Sequence, residues 1–360
     1  MSDETFAGRL LDWYAKHGRR LPWRGITDPY AVLVSEYMAQ QTRVETVIPY
    51  YLRWMEQFPT VQALADAPQE AVLKAWEGLG YYARARNLHK AARAIVTEHD
   101  GRIPSSVNEL RALPGIGEYT AAAVASLVFR ADEPALDGNL RRVLARVTAL
   151  EEDAKSPKSM SRLTALARTL LPPGRVGDFN QALMDLSSQV CLPKSPRCAE
   201  CPLTGFCEAF KQNRQADFPV KAKKAPVPTL TVTAGVLRRG NTVLLTKRPA
   251  DGLLGGMWEF PGGKQESGET LAECLARELR EELDIDVEVG DEVGVFRHAY
   301  SHFRVVLHAF ECEITGGEPR PLASDSLEWV PVERLGEYAM GKIDRIIAGE
   351  IKLNLCQELL

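Results

Sequence analysis

Two regimes of hydrophobic spacing divide the chain. From Thr5 to about Phe210, apolar residues recur at helical spacing, as in VQALADAPQEAVLKAW (61–76) and YTAAAVASLVF (119–129), with Pro and Gly as the breaks. That period gathers apolar side chains on one face of a helix, so this half is predicted to be all-α. Beyond residue 230 the pattern shifts to short β-rich runs, TVTAGVLRR (231–239), NTVLLTKR (241–248) and FRVVLHAFECEI (303–314), with one helical segment at 270–283. Such alternation predicts an α+β domain. Between the two, DFPVKAKKAPVPTL (217–230) concentrates Lys and three prolines without periodicity, which favours an extended connector over a packed element. The expected organisation is a helical domain at 1–218, a linker at 219–229 and a second domain at 230–360.

Length and charge refine this picture. A chain of 360 residues is too long for one typical domain. No apolar run approaches the roughly 20 residues that cross a bilayer. The N-terminal stretch MSDETFAGRLLDWYAKHGRR lacks the apolar centre of a secretory signal. A monomeric cytoplasmic protein without a membrane partner is the expectation. The net charge of −4 argues against a uniformly basic nucleic-acid binder, but it is unevenly spread: residues 221–360 hold 17 Lys and Arg against 23 Asp and Glu, leaving 27 against 25 for residues 1–220. Near-neutral totals are compatible with DNA binding when the basic side chains cluster on one face.

Four of the seven cysteines, Cys191, Cys198, Cys201 and Cys207, are separated by gaps of six, two and five residues. In a reducing compartment such a cluster points to metal, because thiolates are soft ligands. Zinc would accept the same donors, but structural zinc sites pair two short knuckles and this run has one. A [4Fe–4S] cluster fits the spacing better. Upstream, SVNELRALPGIGEYTAAAVASLVF (106–129) places the turn Pro114-Gly115-Ile116-Gly117 between two helices. Gly115 and Gly117 allow close backbone approach, and the amides opening the second helix suit a DNA phosphate. The bland alternative is that both glycines serve helix packing alone.

The LPGIG turn, Asp137 in ALDGNLRRV (135–143) and the C-x6-C-x2-C-x5-C loop together resemble the helix–hairpin–helix DNA glycosylase superfamily over about residues 1–220. The resemblance implies an all-α glycosylase domain with an iron–sulfur loop, followed by an α+β Nudix-like domain. Two positions separate its branches. Strand-cleaving members carry a Schiff-base lysine where this chain has Tyr119, so a monofunctional enzyme is implied. Glu36, in PYAVLVSEYMAQQTRVETV (29–47), is similar to the general acid of the adenine glycosylase (MutY) branch, and its neighbours Val32, Val34, Tyr37 and Met38 leave little room for a solvated face.

The chemistry calls for two carboxylates. Adenine leaves only when protonated, and the oxocarbenium-like sugar needs an anion beside it. Glu36 is assigned to protonate N7 and Asp137 to stabilise the sugar, with Tyr119 and Asn139 positioning them by resemblance. A base inside a duplex must be extruded. Gln41 and Thr42 of the QQT segment and Tyr81 of LGYY (79–82) resemble the wedge region, Trp23, Arg24 and Gln181 the adenine pocket, whereas Tyr82 reads as core.

In the second domain, GGKQESGETLAECLARELREELDI (262–285) resembles the Nudix box from Gly263, with Glu278, Glu281 and Glu282 at helical spacing that could hold Mg²⁺. Asp284 departs from the box, which has glycine there. The segment AYSHF (299–303) resembles the loop that reads 8-oxoguanine, making Ser301 and His302 the lesion readers. WEFPGGK (258–264) also resembles the MutT nucleotide hydrolases, which leaves a Mg²⁺-dependent 8-oxo-dGTP pyrophosphohydrolase activity open. The implied partner is double-stranded DNA holding A:8-oxoG or A:G mispairs in the nucleoid, and the linker could contact a sliding clamp or a mismatch-repair protein. The rival readings are an endonuclease III-like glycosylase for oxidised pyrimidines and a non-enzymatic iron–sulfur DNA-binding protein.

Overall fold

The helical periodicity of the first half is realised as α1 (Phe6–His17), α2 (Pro29–Ala39), α3 (Val44–Gln57), α4 (Val61–Asp66), α5 (Gln69–Trp76), α6 (Ala83–Glu98), α7 (Val107–Ala112), α8 (Glu118–Val128), α9 (Gly138–Val147), α10 (Pro157–Leu170), α11 (Val176–Gln189) and the short α12 (Glu208–Lys211). The computed structural model describes residues 4–221, 226–300 and 302–358, with the backbone alone for 354–358. Its contacts sort the chain into two units. One is Met1–Asp66 with Asn87–Lys224, the other Ala67–Arg86 with Ala225–Leu360. The segment 67–86, whose periodicity is indistinguishable from that of its neighbours, thus groups with the C-terminal half. Of the expected linker, residues 222–225 lie outside the described residues.

In the first unit α2 and α8 are buried almost throughout, whereas α1, α9 and α11 bury one stripe around Leu10, Leu140, Phe179, Leu183 and Leu186. Each such side chain contributes roughly 1.5–3 kcal/mol by leaving water. Among the described residues no helix is long and apolar enough to cross a membrane.

The second unit is a mixed sheet of β1 (Thr229–Arg239), β2 (Thr242–Lys247), β3 (Trp258–Glu259), β4 (Asp286–Ala299), β5 (Arg304–Gly316) and β6 (Ser326–Pro331), with α13 (Leu271–Leu283) and α14 (Lys342–Glu358). The order is β3-β2-β1-β5-β4, with β6 on β2; β1 and β5 run parallel and the other pairs antiparallel. Neighbouring residues of β2 serve different cores: Val243 and Leu245 join Ile343 and Ile347 of α14, and Leu244 joins Leu275 and Leu279 of α13. A sheet covered on both faces explains the unbroken apolar runs.

Helix α13 opens with a capping box, Thr270 and Glu273 exchanging side-chain and backbone bonds, and closes at Asp284 in the left-handed conformation (φ 59°, ψ 39°). The departure from glycine therefore keeps the backbone that glycine would adopt, at the cost a Cβ brings there. The Arg320–Asp284 pair, 3.8 Å apart and well exposed, offsets little of it. Asp284→Gly is expected to stabilise the second unit by about 0.5–1 kcal/mol; an unchanged or lower denaturation midpoint would contradict this account.

Candidate active site

Helix α2 starts at Asp28, whose side chain accepts from the Tyr30 amide, with Pro29 in the first turn. Every residue from Tyr30 to Met38 is buried, so the helix offers no solvated face to a carboxylate. Glu36 is 7% exposed. Burial pushes its pKa up to about 7, against a hydrogen bond from the Tyr119 hydroxyl at 2.9 Å; Asp137 nearby adds to the rise and Arg24 opposes it. Tyr119 is held well above the usual phenol range by burial and by the two carboxylates, which keeps it a donor.

Asp137 caps α9. Its Oδ1 accepts from the amides of Asn139 and Leu140, each at 2.8 Å, and its Oδ2 from Asn139 Nδ2 at 2.9 Å. Glu36, Asp137, Tyr119 and Asn139 line one cleft of about 1030 Å³, together with Trp23, Arg24, Gln41, Thr42, Gly115 and Gly117. Gln181 lines a cavity of about 30 Å³ that shares Trp23, Arg24 and Glu36 with the cleft. Tyr14 donates to Gln181 Oε1 at 2.6 Å. Gln41, two residues past the end of α2, has φ 55° and is exposed.

The two glycines of the hairpin do different work. Gly115 has φ +73°, and a Cβ there would stand 2.4 Å from the Cβ of Asn87. Gly117, by contrast, caps α8 with open space where a Cβ would be, which leaves the first-turn amides approachable by a phosphate. Tyr37 ties this turn to α2 through the Pro114 carbonyl at 3.0 Å.

Three charged residues that periodicity and spacing did not single out hold the cleft together. Asp185, with a fully buried carboxylate, takes Arg24 Nη1 and Nη2 at 2.6 and 2.7 Å and both the amide and Nε of Arg19 at 2.8 Å. Arg142 donates to Asn139 Oδ1 at 2.8 Å, to the Ser187 carbonyl at 2.9 Å and to the Cys191 carbonyl at 3.1 Å. Arg146 spans Phe218, Leu192 and Pro193 carbonyls and the Cys191 sulfur at 3.3 Å. Their only trace in the sequence is polarity at core positions of α9 and α11.

The four cysteines are half-buried on one loop. Burial pushes Cys201 up to about 12, with the Leu203 amide opposing and Cys191, Cys207 and Cys198 close enough to add to the rise. Burial likewise raises Cys198 and Cys207, and thiols raised in this way are held as thiolates by a bound cation. The Arg146 guanidinium and nearby amides are the donors a thiolate-ligated group accepts, so the residues fit an iron–sulfur cluster. Among the described residues no three His, Cys, Asp or Glu side chains converge on a single ion; the assignment rests on the loop's spacing and its surroundings.

In the second unit Tyr81 is 48% exposed with φ 49°, and Tyr82 is buried. His302 is exposed at a turn closed by Tyr300 N donating to Phe303 O at 2.9 Å, where the Tyr300 and Phe303 rings stack at 4.9 Å. Ser301 lies outside the described residues. Of the acidic helix, Glu281 is 60% exposed and pairs with Arg277. Glu282 is pushed up to about 7 by burial, then by Glu259 and Glu278. Glu259 on β3, also raised to about 7 by burial and bonded to Arg248, is a further acid near Glu282 that helical spacing alone did not draw.

Family models match three stretches: the HhH-GPD superfamily of base excision DNA repair proteins over residues 34–169, the iron–sulfur binding domain of endonuclease III over 191–207, and a NUDIX domain over 233–349. A human adenine DNA glycosylase is 34% identical over 96% of this chain and 74% of its own length, and the rat protein 35% over 93% and 76%. Among solved structures, a thermostable thymine-DNA glycosylase superposes with a TM-score of 0.54 at 29% identity, covering 57% of this chain and 95% of that one. With the cluster-binding loop and the NUDIX domain both matched, this chain belongs to the adenine DNA glycosylases of base excision repair.

Proposed function

We propose that the enzyme removes adenine mispaired with 8-oxoguanine or guanine, with Glu36 as general acid and Asp137 as the anion beside the sugar. The observation that carries this is a buried Glu36, hydrogen-bonded by Tyr119, on the same cleft as Asp137. Extruded adenine takes a proton on N7 from Glu36 as the bond from its N9 to the sugar C1′ breaks, and the bonding electrons leave with the base. Asp137, held by three donors, faces the cation left on the sugar. Water then supplies the hydroxyl at C1′. Tyr119 has no amine to form a Schiff base, which favours release of the base with the strand left intact.

Arg24, anchored by Asp185, and Gln181, anchored by Tyr14, are placed to meet the adenine edge. Gln41 and Thr42 flank the opening, and Gly115 and Gly117 present the hairpin to backbone phosphate. His302 and Ser301 read the opposite base. When bound by Cys191, Cys198, Cys201 and Cys207, the cluster supplies the cross-linking that orders the loop, and Arg142 connects the Cys191 carbonyl to Asn139 beside Asp137.

A second reading of the C-terminal domain is favoured by the acidic spacing of α13 and by Glu259 and Glu278 lying close enough to Glu282 to add to the rise that burial gives it. Such a group would hold Mg²⁺ for hydrolysis of an oxidised nucleoside triphosphate such as 8-oxo-dGTP, releasing pyrophosphate.

Single-turnover excision of A opposite 8-oxoG should fall roughly 10²–10⁴-fold in Glu36→Gln, whereas activity on thymine glycol would move the chain to the oxidised-pyrimidine branch. Because the acid must carry its proton, the wild-type rate should be full below pH 7 and decline as pH rises through about 7. Tyr119→Phe deletes a bond that favours the ionised carboxylate, so its decline should begin at higher pH; a shift to lower pH contradicts the assignment. Turnover of 8-oxo-dGTP with Mg²⁺, if present, should vanish in Glu282→Gln, and turnover that survives the change rules out the second reading.

A further inference from the structure

Tyr81 sits in a loop whose backbone is unusual three times in four residues: Gly78 (φ 97°), Gly80 (φ 72°) and Tyr81 (φ 49°). A bulky residue in the left-handed region is strained and persists only where its surroundings fix it. On one side the bracing is local. Arg84 donates to the carbonyls of Leu79 at 3.2 Å and Gly80 at 3.1 Å, with its guanidinium over the rings of Trp76 and Tyr81, and Trp76 Nε1 donates to the same Gly80 carbonyl at 3.1 Å.

On the other side the bracing comes from residues more than 160 positions away in the same unit. Arg345 of α14 grips Glu77, the residue that ends α5 and opens the loop, with Nε at 2.5 Å and Nη2 at 3.2 Å, while its remaining donors reach the carbonyls of Leu335 and Tyr338. Lys74 joins Glu77 at 2.8 Å and Tyr338 O at 3.3 Å. Arg86, behind the loop, donates to the carbonyls of Gly255 and Gly252 at 3.0 Å each, and Lys247 pairs with Glu70 at 2.5 Å. Glu77 and Arg345 side chains are only 16% and 30% exposed, so the pair is less screened than a surface one.

We propose that Arg345, acting through Glu77, is a positioning residue for Tyr81, by which the C-terminal domain that reads the opposite base also sets the side chain that fills the duplex when adenine is extruded. This rests on the reading of Tyr81 as that filler. The pair then contributes to the choice between 8-oxoG and G as the partner of the excised adenine.

The experiment is a double-mutant cycle with Glu77→Ala and Arg345→Ala in the full-length holoenzyme, reading the ratio of single-turnover rates on A:8-oxoG and A:G, with Tyr81→Ala alongside. Each single change should lower the ratio roughly three- to tenfold, the double no further than either, as expected for two residues acting through one contact. Arg345→Lys, which keeps the charge but not the fork, should fall between. A general loss of folding would slow both duplexes alike and leave the ratio in place, which counts against the proposal. A ratio lowered by Tyr81→Ala but untouched by Arg345→Ala and Arg345→Lys overturns it while sparing the reading of Tyr81; a ratio untouched by Tyr81→Ala overturns both.

Discussion

The constraint on which the first unit turns is the exclusion of water from one carboxyl group, that of Glu36. The helix that carries it is buried on every side from Tyr30 to Met38, and among the described residues the hydrogen bond to Glu36 comes from Tyr119 on α8. Desolvation and that hydrogen bond pull in opposite directions. Burial prevails, pushing Glu36 up to about 7 from the ordinary carboxylate range. Asp137 has the contrary environment, a helix N-terminus and three donors. Two identical functional groups thereby acquire different chemistry from their surroundings.

Holding such a site open is expensive in buried charge, and the arginines carry it. Asp185, fully enclosed, is tolerable because Arg19 and Arg24 satisfy it in fork geometry. Arg142 and Arg146 spend most of their donors on backbone carbonyls at the C-terminal end of α11, in the stretch Cys191–Pro193 and at Phe218. The cysteine loop, the capped Asp137 and the cavity beside Gln181 therefore share a frame through α9 and α11.

What was legible beforehand is what depends on local pattern. The helical period, the LPGIG turn, the cysteine spacing and the glutamates of α13 announce themselves within a few residues of one another. Glu36, whose apolar neighbours argued only against a solvated face, was legible by its resemblance to the adenine glycosylases' acid. The partners of these groups were not: Asp185 meets Arg24 across 161 positions and Arg142 meets Cys191 across 49, and no periodicity encodes such pairings. Glu259 escaped notice because its partners sit on a different element. The grouping of residues 67–86 with the C-terminal half escaped for a related reason: α5 has the same amphipathic period whichever core covers Val72, Leu73 and Trp76.

That grouping changes what a shortened version of the enzyme would be. Severing the chain in its proline-rich connector looks like a clean separation of the helical half from the NUDIX half, yet it would strip Glu70, Glu77 and Arg86 of Lys247, Arg345 and the Gly252 and Gly255 carbonyls, and leave Leu73 without the loop at Gly256. The fragment would carry an injury inside its own sequence. Modularity along the gene is not modularity in space, and the two halves of this protein are better regarded as having exchanged a piece of chain than as having been joined end to end.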